Sequence, residues 1–203
     1  MILVLDTETT GVAKTDQVIE LAYSCIKDLD IFDRTLEVDK VIWHIEGNKE
    51  VNRYRPTTSI NPRAFEVHGI GLAKLLHHPK PDTISLPEVS YIIGHNISFD
   101  ARMIKQSNPT LGDKLDSAKY ICTLDLSKKI SKFSVTTIPK NKLDTLIEYF
   151  LPETSSRFNT KFHSAEGDII KTTLVLHKLL HFLPAIKSYE ELYTFLNNFK
   201  KVK

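Results

Sequence analysis

Apolar runs near the start of the chain predict β-strands. Residues 2–5 form a continuous aliphatic run that ends at Asp6, which is typical of a central strand covered on both faces. Two further apolar stretches follow at residues 18–26 and 38–45, and the polar, acid-rich residues 27–34 separate them. Because β-prone runs bounded by polar segments are typical of strands, the first part of the chain is predicted to form a meander of three strands.

Later in the chain, strand patterns alternate with helical ones. After the turn-rich residues 48–62, two apolar clusters predict short helices within residues 63–78. Short strands are predicted at residues 91–95 and 120–122. Apolar positions recur with helical spacing at residues 98–106, 124–130, 142–150, 164–183 and 189–199. This order predicts an α/β fold with a mixed central β-sheet flanked by α-helices.

The composition is that of a globular protein. The 203 residues, of 23.2 kDa, suffice for one domain, alone or with a short appendage, and 41% are hydrophobic and 26% charged. The net charge of +2 is too small to indicate a nucleic-acid or membrane binder, so any site for a polyanion must be local. No apolar run approaches the roughly 18 residues of a membrane span, and the two cysteines lack metal-ligand spacing. The chain is therefore predicted to be soluble, unprocessed and cytoplasmic, with no membrane partner.

Two acidic residues follow the first strand. Asp6 and Glu8 are two positions apart, and on a strand this spacing directs both carboxylates to the same face. Such a pair is destabilising unless a cation neutralises it, and hard oxygen ligands suit Mg²⁺ or Mn²⁺ better than zinc. The same pattern also fits a solvated strand end that leads into the turn at Gly11.

Two later positions place further acids near predicted strand and helix ends. Asp100 lies where a strand meets a helix, which suits either a ligand or an acid that interacts with the helix dipole. If Ser164 caps the long helix, His163 stands before that helix and can reach over its first turn towards Asp168. The alternative is a surface histidine and an ordinary first-turn acid.

A basic stretch supplies another candidate interface. Residues 131–141 are predicted to form a basic loop between two helices. Lysines cluster in and around this loop at Lys128, Lys129, Lys132, Lys140 and Lys142. Next to an acidic site such a patch could guide a phosphate backbone, and it is equally typical of a solvated protein face.

The acidic motifs together resemble a known family. In order along the chain they are Asp6-Thr7-Glu8-Thr9-Thr10-Gly11, His95-Asn96-x-x-Phe99-Asp100 and His163-x-Ala165-x-x-Asp168. This series resembles the three exonuclease motifs of the DEDD superfamily in its histidine-bearing branch (DEDDh, or DnaQ-like), which includes the DNA polymerase III proofreading subunit, exonuclease X and ribonuclease T. Residues 61–70 are similar to the segment that connects the first two motifs in that family. The resemblance covers roughly residues 1–180, and four ordered matches are far more specific than any single one.

The resemblance implies a fold and a set of site residues. It implies a ribonuclease H-like domain over residues 1–183, followed at residues 184–203 by a C-terminal helix and a basic tail. Two divalent metal ions, Mg²⁺ or Mn²⁺, would be held by Asp6, Glu8, Asp100 and Asp168. These four acids would be catalytic together with His163, which would act as the general base. Substrate binding near the terminal nucleotide would fall to Thr9, Phe65, His68 and Phe99.

The implied function is hydrolysis of phosphodiester bonds from the 3′ end of nucleic acid, with release of 5′-mononucleotides. DNA is the expected substrate, in proofreading or repair, and single-stranded DNA is the favoured partner alongside a polymerase or repair protein. Processing of RNA 3′ ends is the alternative enzymatic function, because no residue identifies a contact to the 2′-hydroxyl. A non-catalytic module that binds nucleic acid or a polymerase is the third hypothesis. Such a module would tolerate loss of a ligand, whereas all five acid and histidine positions are present here.

Overall fold

A mixed β-sheet forms the centre of the computed structural model, which describes residues 1–133, 138, 141–158 and 162–198. Its strands are β1 (Ile2–Thr9), β2 (Val18–Cys25), β3 (Lys49–Arg53), β4 (Tyr91–Gly94) and β5 (Lys119–Cys122). They lie in the order β3-β2-β1-β4-β5. The pairs β3·β2 and β2·β1 are antiparallel, and β1·β4 and β4·β5 are parallel. The predicted α/β fold with a mixed central sheet is confirmed.

Helices cover both faces of this sheet. They are α1 (Val38–Asn48), α2 (Pro62–His68), α3 (Ile97–Ser107), α4 (Gly112–Ser117), α5 (Thr123–Phe133), α6 (Leu143–Phe150), α7 (Pro152–Ser155), α8 (Ala165–Leu180) and α9 (Tyr189–Asn197). Short 3₁₀ turns occur at Leu72–Lys74, Pro81–Thr83, Pro109–Leu111 and Ser156–Phe158. Helices α4 and α7 were not predicted, and both are too short for a clear apolar period.

The prediction of a strand at residues 38–45 is wrong, because this segment forms helix α1. Its apolar residues Val38, Val41, Ile42 and Ile45 have the i, i+3, i+4, i+7 spacing of one helical face, and the last three are buried. The third strand is instead β3, which follows α1 directly within the predicted turn-rich segment. It lies at the edge of the sheet and is largely exposed, so its sequence lacks an apolar pattern.

The other predicted strands and long helices are present with small shifts at their ends. The predicted loop at residues 131–141 begins as helix, because α5 continues to Phe133. Residues 134–137, 139–140 and the basic tail at 199–203 lie outside the described residues.

Two cores sandwich the sheet and orient the acidic strand. Val4 of β1 packs in the core that contains α8, whereas Leu3 and Leu5 pack in the core on the α3 side. Because side chains alternate along a strand, Asp6 and Glu8 share the face of Val4 and point towards α8. Of the helices that the structure describes, none has the length and apolar character needed to span a membrane.

Candidate active site

Asp6 and Glu8 lie on the last residues of β1, on the face that meets α8. The side chain of Glu8 is almost wholly buried, and Glu8 pairs across the antiparallel ladder with Glu20 of β2, which is also buried. Burial, followed by the charges of Asp168 and Glu20, raises the pKa of Glu8 to about 8. Burial also raises the pKa of Asp6 well above its usual range, and the neighbouring carboxylates of Asp100, Asp168 and Glu8 add to this.

Asp100 reaches the site from the first turn of α3. The turn between β4 and α3 is tight, since Asn96 adopts a left-handed conformation with φ 70° and a Cβ on Gly94 would lie 2.7 Å from Ile97 Cδ1. Thr7 of β1 donates hydrogen bonds to Asp100 Oδ1 from its backbone N at 3.0 Å and its Oγ1 at 2.7 Å. Burial raises the pKa of Asp100 to about 7, although these hydrogen bonds oppose the shift.

The N-terminus of α8 supplies the third motif. Ser164 Oγ caps this helix by accepting a hydrogen bond from Gly167 N at 3.1 Å, as predicted, and Asp168 lies in the first turn. His163 precedes the cap, its backbone N donates to Val67 O at 2.9 Å, and its Nδ1 lies 3.4 Å from Asp168 Oδ2. The predicted approach of His163 to Asp168 is therefore present.

The buried carboxylate of Glu20 connects α8 to the sheet, and Glu20 was not among the predicted site residues. Glu20 Oε1 accepts a hydrogen bond from Ala165 N at 3.3 Å, and Glu20 Oε2 binds Arg53 Nε at 2.7 Å. Glu20 thus holds the start of α8 beside the strand that carries Glu8. The only sequence signal is an acid within an otherwise apolar strand.

Two charged residues that were not predicted, Lys171 and Asp144, complete the cluster. Lys171 lies one helical turn after Asp168, and its Nζ is 2.5 Å from Asp168 Oδ1 and 2.7 Å from Asp144 Oδ1. Asp144, in the first turn of α6, also lies 3.3 Å from His163 Nε2. A lysine on the buried helix α8 is a signal that sequence inspection could have used, since lysines are rarely buried unless paired.

These contacts set the protonation of the third motif. Burial alone would raise the pKa of Asp168, but His163 and Lys171 lower it below its usual range. The hydrogen bond to Asp168 raises the pKa of His163 above the usual value, and burial opposes this shift only in part. Burial would lower the pKa of Lys171, yet Asp168 and Asp144 together raise it. The third motif is therefore an ion cluster with an anionic Asp168.

The four acids and His163 that were predicted as a site come together at one end of β1. The charge of Asp168 raises the pKa of Asp6, Glu8 and Asp100, which places these carboxylates within electrostatic reach of one another. Like charges at such a site favour binding of a cation. The donor set of carboxylate oxygens matches the preference of Mg²⁺ and Mn²⁺.

The residues fit a divalent metal, although the site has to rearrange to hold one. Asp168 Oδ1 is buried and has no hydrogen-bond partner among the described residues, so one carboxylate oxygen still lacks a ligand of good geometry. Among the residues that the structure describes, no three histidine, cysteine, aspartate or glutamate side chains have the spacing of a formed metal site. Contacts of Lys171 with Asp168 and of Thr7 with Asp100 hold these two carboxylates in their present positions.

An open cavity of about 420 Å³ adjoins the acidic cluster. Its lining combines residues from the end of β1, from α2 and from α3: Thr7, Glu8, Thr9, Gly11, Val12, Asn61, Arg63, Ala64, Val67, His68 and Phe99. Three of the four predicted substrate residues, Thr9, His68 and Phe99, line it, whereas Phe65 is 45% exposed on α2 and is not part of the lining. Arg63 lines the cavity and was missed.

His68 has a structural role within this cavity wall. Its Nδ1 accepts a hydrogen bond from Ile70 N at 3.0 Å, so Nε2 carries the proton and donates to Thr9 O at 3.2 Å. Both ring nitrogens are therefore in use inside the protein, and burial lowers the pKa of His68. His68 holds the backbone of Thr9 in place beside the cavity.

The predicted basic patch is only partly a surface. Lys128, Lys132 and Lys142 are exposed, and Lys140 lies outside the described residues. Lys129 is buried between α5 and α9, where its Nζ donates to Phe195 O and lies 4.3 Å from the centre of the Phe195 ring. Lys129 therefore contributes to packing and not to a phosphate-binding face.

Known proteins share the family and the fold of this chain. A family model described as Exonuclease (RNase_T) matches residues 3–176. No curated protein sequence matches significantly. Among solved structures, exonuclease X in complex with 5′ overhanging duplex DNA is similar with TM-score 0.59 and 18% identity, over 97% of this chain and 100% of that one.

Two further solved structures have the same fold. E. coli exonuclease I in complex with a dA16 oligonucleotide is similar with TM-score 0.63 and 16% identity over 98% of this chain, and the match covers only 43% of that protein. Brucella melitensis NrnC is similar with TM-score 0.51 and 15% identity, over 96% of this chain and 79% of that one. At such identities the likeness establishes the ribonuclease H-like fold.

The match to the family model and the fold indicate the same family. The match to the family model covers most of the chain, including all the motif residues. Members of this family are nucleases that depend on divalent metal and act on nucleic acid. The chain belongs to the RNase_T exonuclease family, in its DnaQ-like, histidine-bearing branch.

Proposed function

We propose that this chain is a 3′-to-5′ exonuclease that hydrolyses the terminal phosphodiester bond of DNA and releases 5′-mononucleotides. One observation carries the proposal: four carboxylates and a histidine converge at the end of β1, directly beside an open cavity that is large enough for a nucleotide base. In the proposal residues 1–183 form the exonuclease unit and residues 184–203 a C-terminal helix and basic tail. Buried Leu192 and Leu196 of α9 pack in the α8 core, so we expect this helix to stay on the domain.

The cavity is suited to the end of a strand. The ring of Phe99 offers an apolar surface for a base, and Arg63 supplies a positive charge for a phosphate. We assign the terminal nucleotide to this cavity, with Thr9, Phe65, His68 and Phe99 as substrate-binding residues. In this assignment His68 acts through the backbone of Thr9, and exposed Phe65 contacts the substrate from the cavity rim. Single strands should enter more readily than duplex ends, because unpairing a base costs a few kcal/mol.

We assign two Mg²⁺ or Mn²⁺ ions to Asp6, Glu8, Asp100 and Asp168. When bound, such a pair supplies Lewis-acid stabilisation of the attacking and leaving oxygens. Asp6 and Glu8 would present their carboxylates from the sheet, and Asp168 from α8. Thr7 would orient Asp100 through its two hydrogen bonds.

His163 is proposed as the general base. Its ring stands at the mouth of the acidic cluster, 44% exposed, so that a water molecule and a substrate phosphate can reach it. Neutral imidazole accepts the proton of the attacking water, so His163 must first lose its own. Activity should therefore increase with pH through the ionisation of His163 and then level off.

The test is digestion of end-labelled single-stranded DNA, duplex DNA and RNA, each with Mg²⁺ and with EDTA. We expect mononucleotides from the 3′ end of single-stranded DNA in Mg²⁺ and none in EDTA. Loss of a 5′ label first, or equal hydrolysis in EDTA, contradicts the proposal. Faster digestion of RNA than DNA would favour RNA 3′-end processing, and binding without hydrolysis would favour a non-catalytic module.

The matched variants are His163→Ala and His77→Ala. His163→Ala should lower kcat by roughly 10²–10⁴ and remove the pH dependence. His77 is exposed and belongs neither to the acidic motifs nor to the cavity lining, so its replacement should leave kcat unchanged. A His163→Ala protein with near-normal turnover would end the assignment of His163 as the base.

A further inference from the structure

The buried lysine of the third motif has no role in the reaction proposed above. Lys171 projects from α8 with only 6% of its side chain exposed, and its ammonium group lies between Asp168 and Asp144. A buried ammonium group is costly unless it is paired, so both carboxylates contribute to holding it. Lys171 thus places a positive charge directly at a carboxylate that the proposed function assigns to a metal ion.

The two contacts of Lys171 differ in kind. Lys171 Nζ donates a hydrogen bond to Asp144 Oδ1 at 2.7 Å. The same ammonium group also lies 2.5 Å from Asp168 Oδ1 in a close ion pair, which lacks the orientation of a well-formed hydrogen bond. Lys171 therefore balances the charge of Asp168, but Asp168 Oδ1 accepts no well-oriented hydrogen bond from it. Asp144 accepts the well-oriented hydrogen bond of the ammonium group.

His163 repeats this arrangement. Its Nδ1 faces Asp168 Oδ2 at 3.4 Å, and its Nε2 faces Asp144 Oδ2 at 3.3 Å. Each of these two basic side chains therefore contacts the same two carboxylates. The side chain of Asp144 is 47% exposed, and Asp144 can keep its contacts with Lys171 and His163 when Asp168 binds another partner.

We propose that Lys171 is an internal counter-cation that occupies Asp168 in the metal-free chain and yields Asp168 Oδ1 to a divalent cation, while Asp144 retains the ammonium group. The inference rests on the proposed metal-dependent function and adds a control of metal affinity to it. Lys171 stabilises the metal-free acidic cluster and competes with the metal for one oxygen. Asp144 weakens that competition, because it offers the ammonium group an alternative partner.

The test measures Mg²⁺ binding by thermal unfolding and by calorimetry, without substrate. Lys171→Met should unfold at a lower temperature than the wild type in EDTA. It should show a larger Mg²⁺-induced rise in unfolding temperature and half-saturate at a Mg²⁺ concentration lower by about tenfold, because a cation next to the site has been removed. Asp144→Asn should have the opposite effect on affinity and require more Mg²⁺, since Lys171 then has Asp168 alone.

Lys129→Met is the matched control. It removes another buried lysine, one that lies between α5 and α9, so it should lower the unfolding temperature and leave the Mg²⁺ response unchanged. A Lys171→Met protein whose Mg²⁺ affinity is unchanged or weaker overturns the inference. If Lys171→Met does not fold, Asp144→Asn decides alone: weaker Mg²⁺ binding supports the inference, and unchanged or tighter binding overturns it.

Failure of this inference is distinguishable from failure of the proposed function. A wild-type protein that binds Mg²⁺ and degrades DNA, with variants of unchanged Mg²⁺ affinity, overturns the role of Lys171 alone. A wild-type protein that neither binds Mg²⁺ nor degrades DNA overturns both.

Discussion

Replacing Glu8 by glutamine should stabilise the metal-free protein while it removes a proposed metal ligand. Glu8 is 8% exposed, and burial followed by the charges of Asp168 and Glu20 raises its pKa from 4.5 to about 8. An acid with a raised pKa in the folded state binds more protons there than in the unfolded chain. Its presence therefore costs stability above the unfolded-state pKa, and this cost grows as the pH rises from 4.5 towards 8.

The size of the effect follows from that shift. One pKa unit corresponds to about 1.36 kcal/mol, so at about pH 7.5 the three units above the unfolded-state pKa set a ceiling of about 4 kcal/mol. The neighbouring acids share the repulsion and rearrange when one charge is lost, which reduces the expected gain for Glu8→Gln to about 1–3 kcal/mol. At about pH 5 the ceiling falls below about 1 kcal/mol, because Glu8 is then protonated in the folded state and still about one quarter protonated in the unfolded chain.

The assay is urea unfolding in EDTA at both pH values, followed by unfolding in saturating Mg²⁺. We expect Glu8→Gln to be more stable than the wild type at the higher pH in EDTA, and to lose this advantage in Mg²⁺. Glu88→Gln is the control, because the Glu88 side chain is 90% exposed and forms only a surface ion pair with Lys114, so its replacement should change stability by less than about 1 kcal/mol at either pH. A Glu8→Gln protein that is no more stable than the wild type in EDTA, or equally stabilised at both pH values, would refute the reasoning.

Three further predictions concern the scaffold. The ring of His177 is fully buried, and its Nε2 donates a hydrogen bond to Asp33 O at 3.0 Å. Burial lowers the pKa of His177 to about 4, so the free energy of unfolding should fall by about 2–3 kcal/mol between the unfolded-state pKa of 6.5 and pH 4. Urea unfolding across that pH range should show the fall flattened in His177→Gln, and an unchanged slope would contradict the assignment. Gly69→Ala should lower the free energy of unfolding in urea by about 2 kcal/mol, because φ is +65° and the new Cβ would lie 2.7 Å from Phe162 Cδ2. A cost near zero would mean that the Phe162 ring moves freely. Leu174→Ala should cost about 2–5 kcal/mol by the same assay, since Leu174 is fully buried in the α8 core, and a cost under about 1 kcal/mol would show that the core refills the space.

Local patterns in the sequence determined four of the five strands, most of the long helices and the two acids of the first motif. The apolar run of β1 ends at Asp6, and the period of two along a strand was enough to place Glu8 on the same face. The capping serine before α8 likewise located His163 relative to Asp168. In each case the interacting residues are neighbours along the chain, so the geometry of one element decides their distance.

The failures of sequence-based prediction occurred where the local pattern was ambiguous or absent. Residues 38–45 are rich in β-branched residues, and this composition favours a strand although the apolar spacing is helical. Strand β3 is an exposed edge, and its residues carry no apolar alternation that could reveal it. Packing of α1 against α8, and pairing of β3 with β2, decided both segments.

The tertiary structure alone decided how the acidic motifs are joined. The hydrogen bonds from Thr7 to Asp100 and from Ala165 to Glu20 connect residues that are 93 and 145 positions apart. Lys171 meets Asp144 across the packed helices α8 and α6, 27 positions away. Hydrophobic periodicity specifies which face of an element is buried, but it does not specify which polar group of another element lies opposite. That choice depends on how the helices pack on the sheet, so the charge balance of the site could be known only from the folded chain.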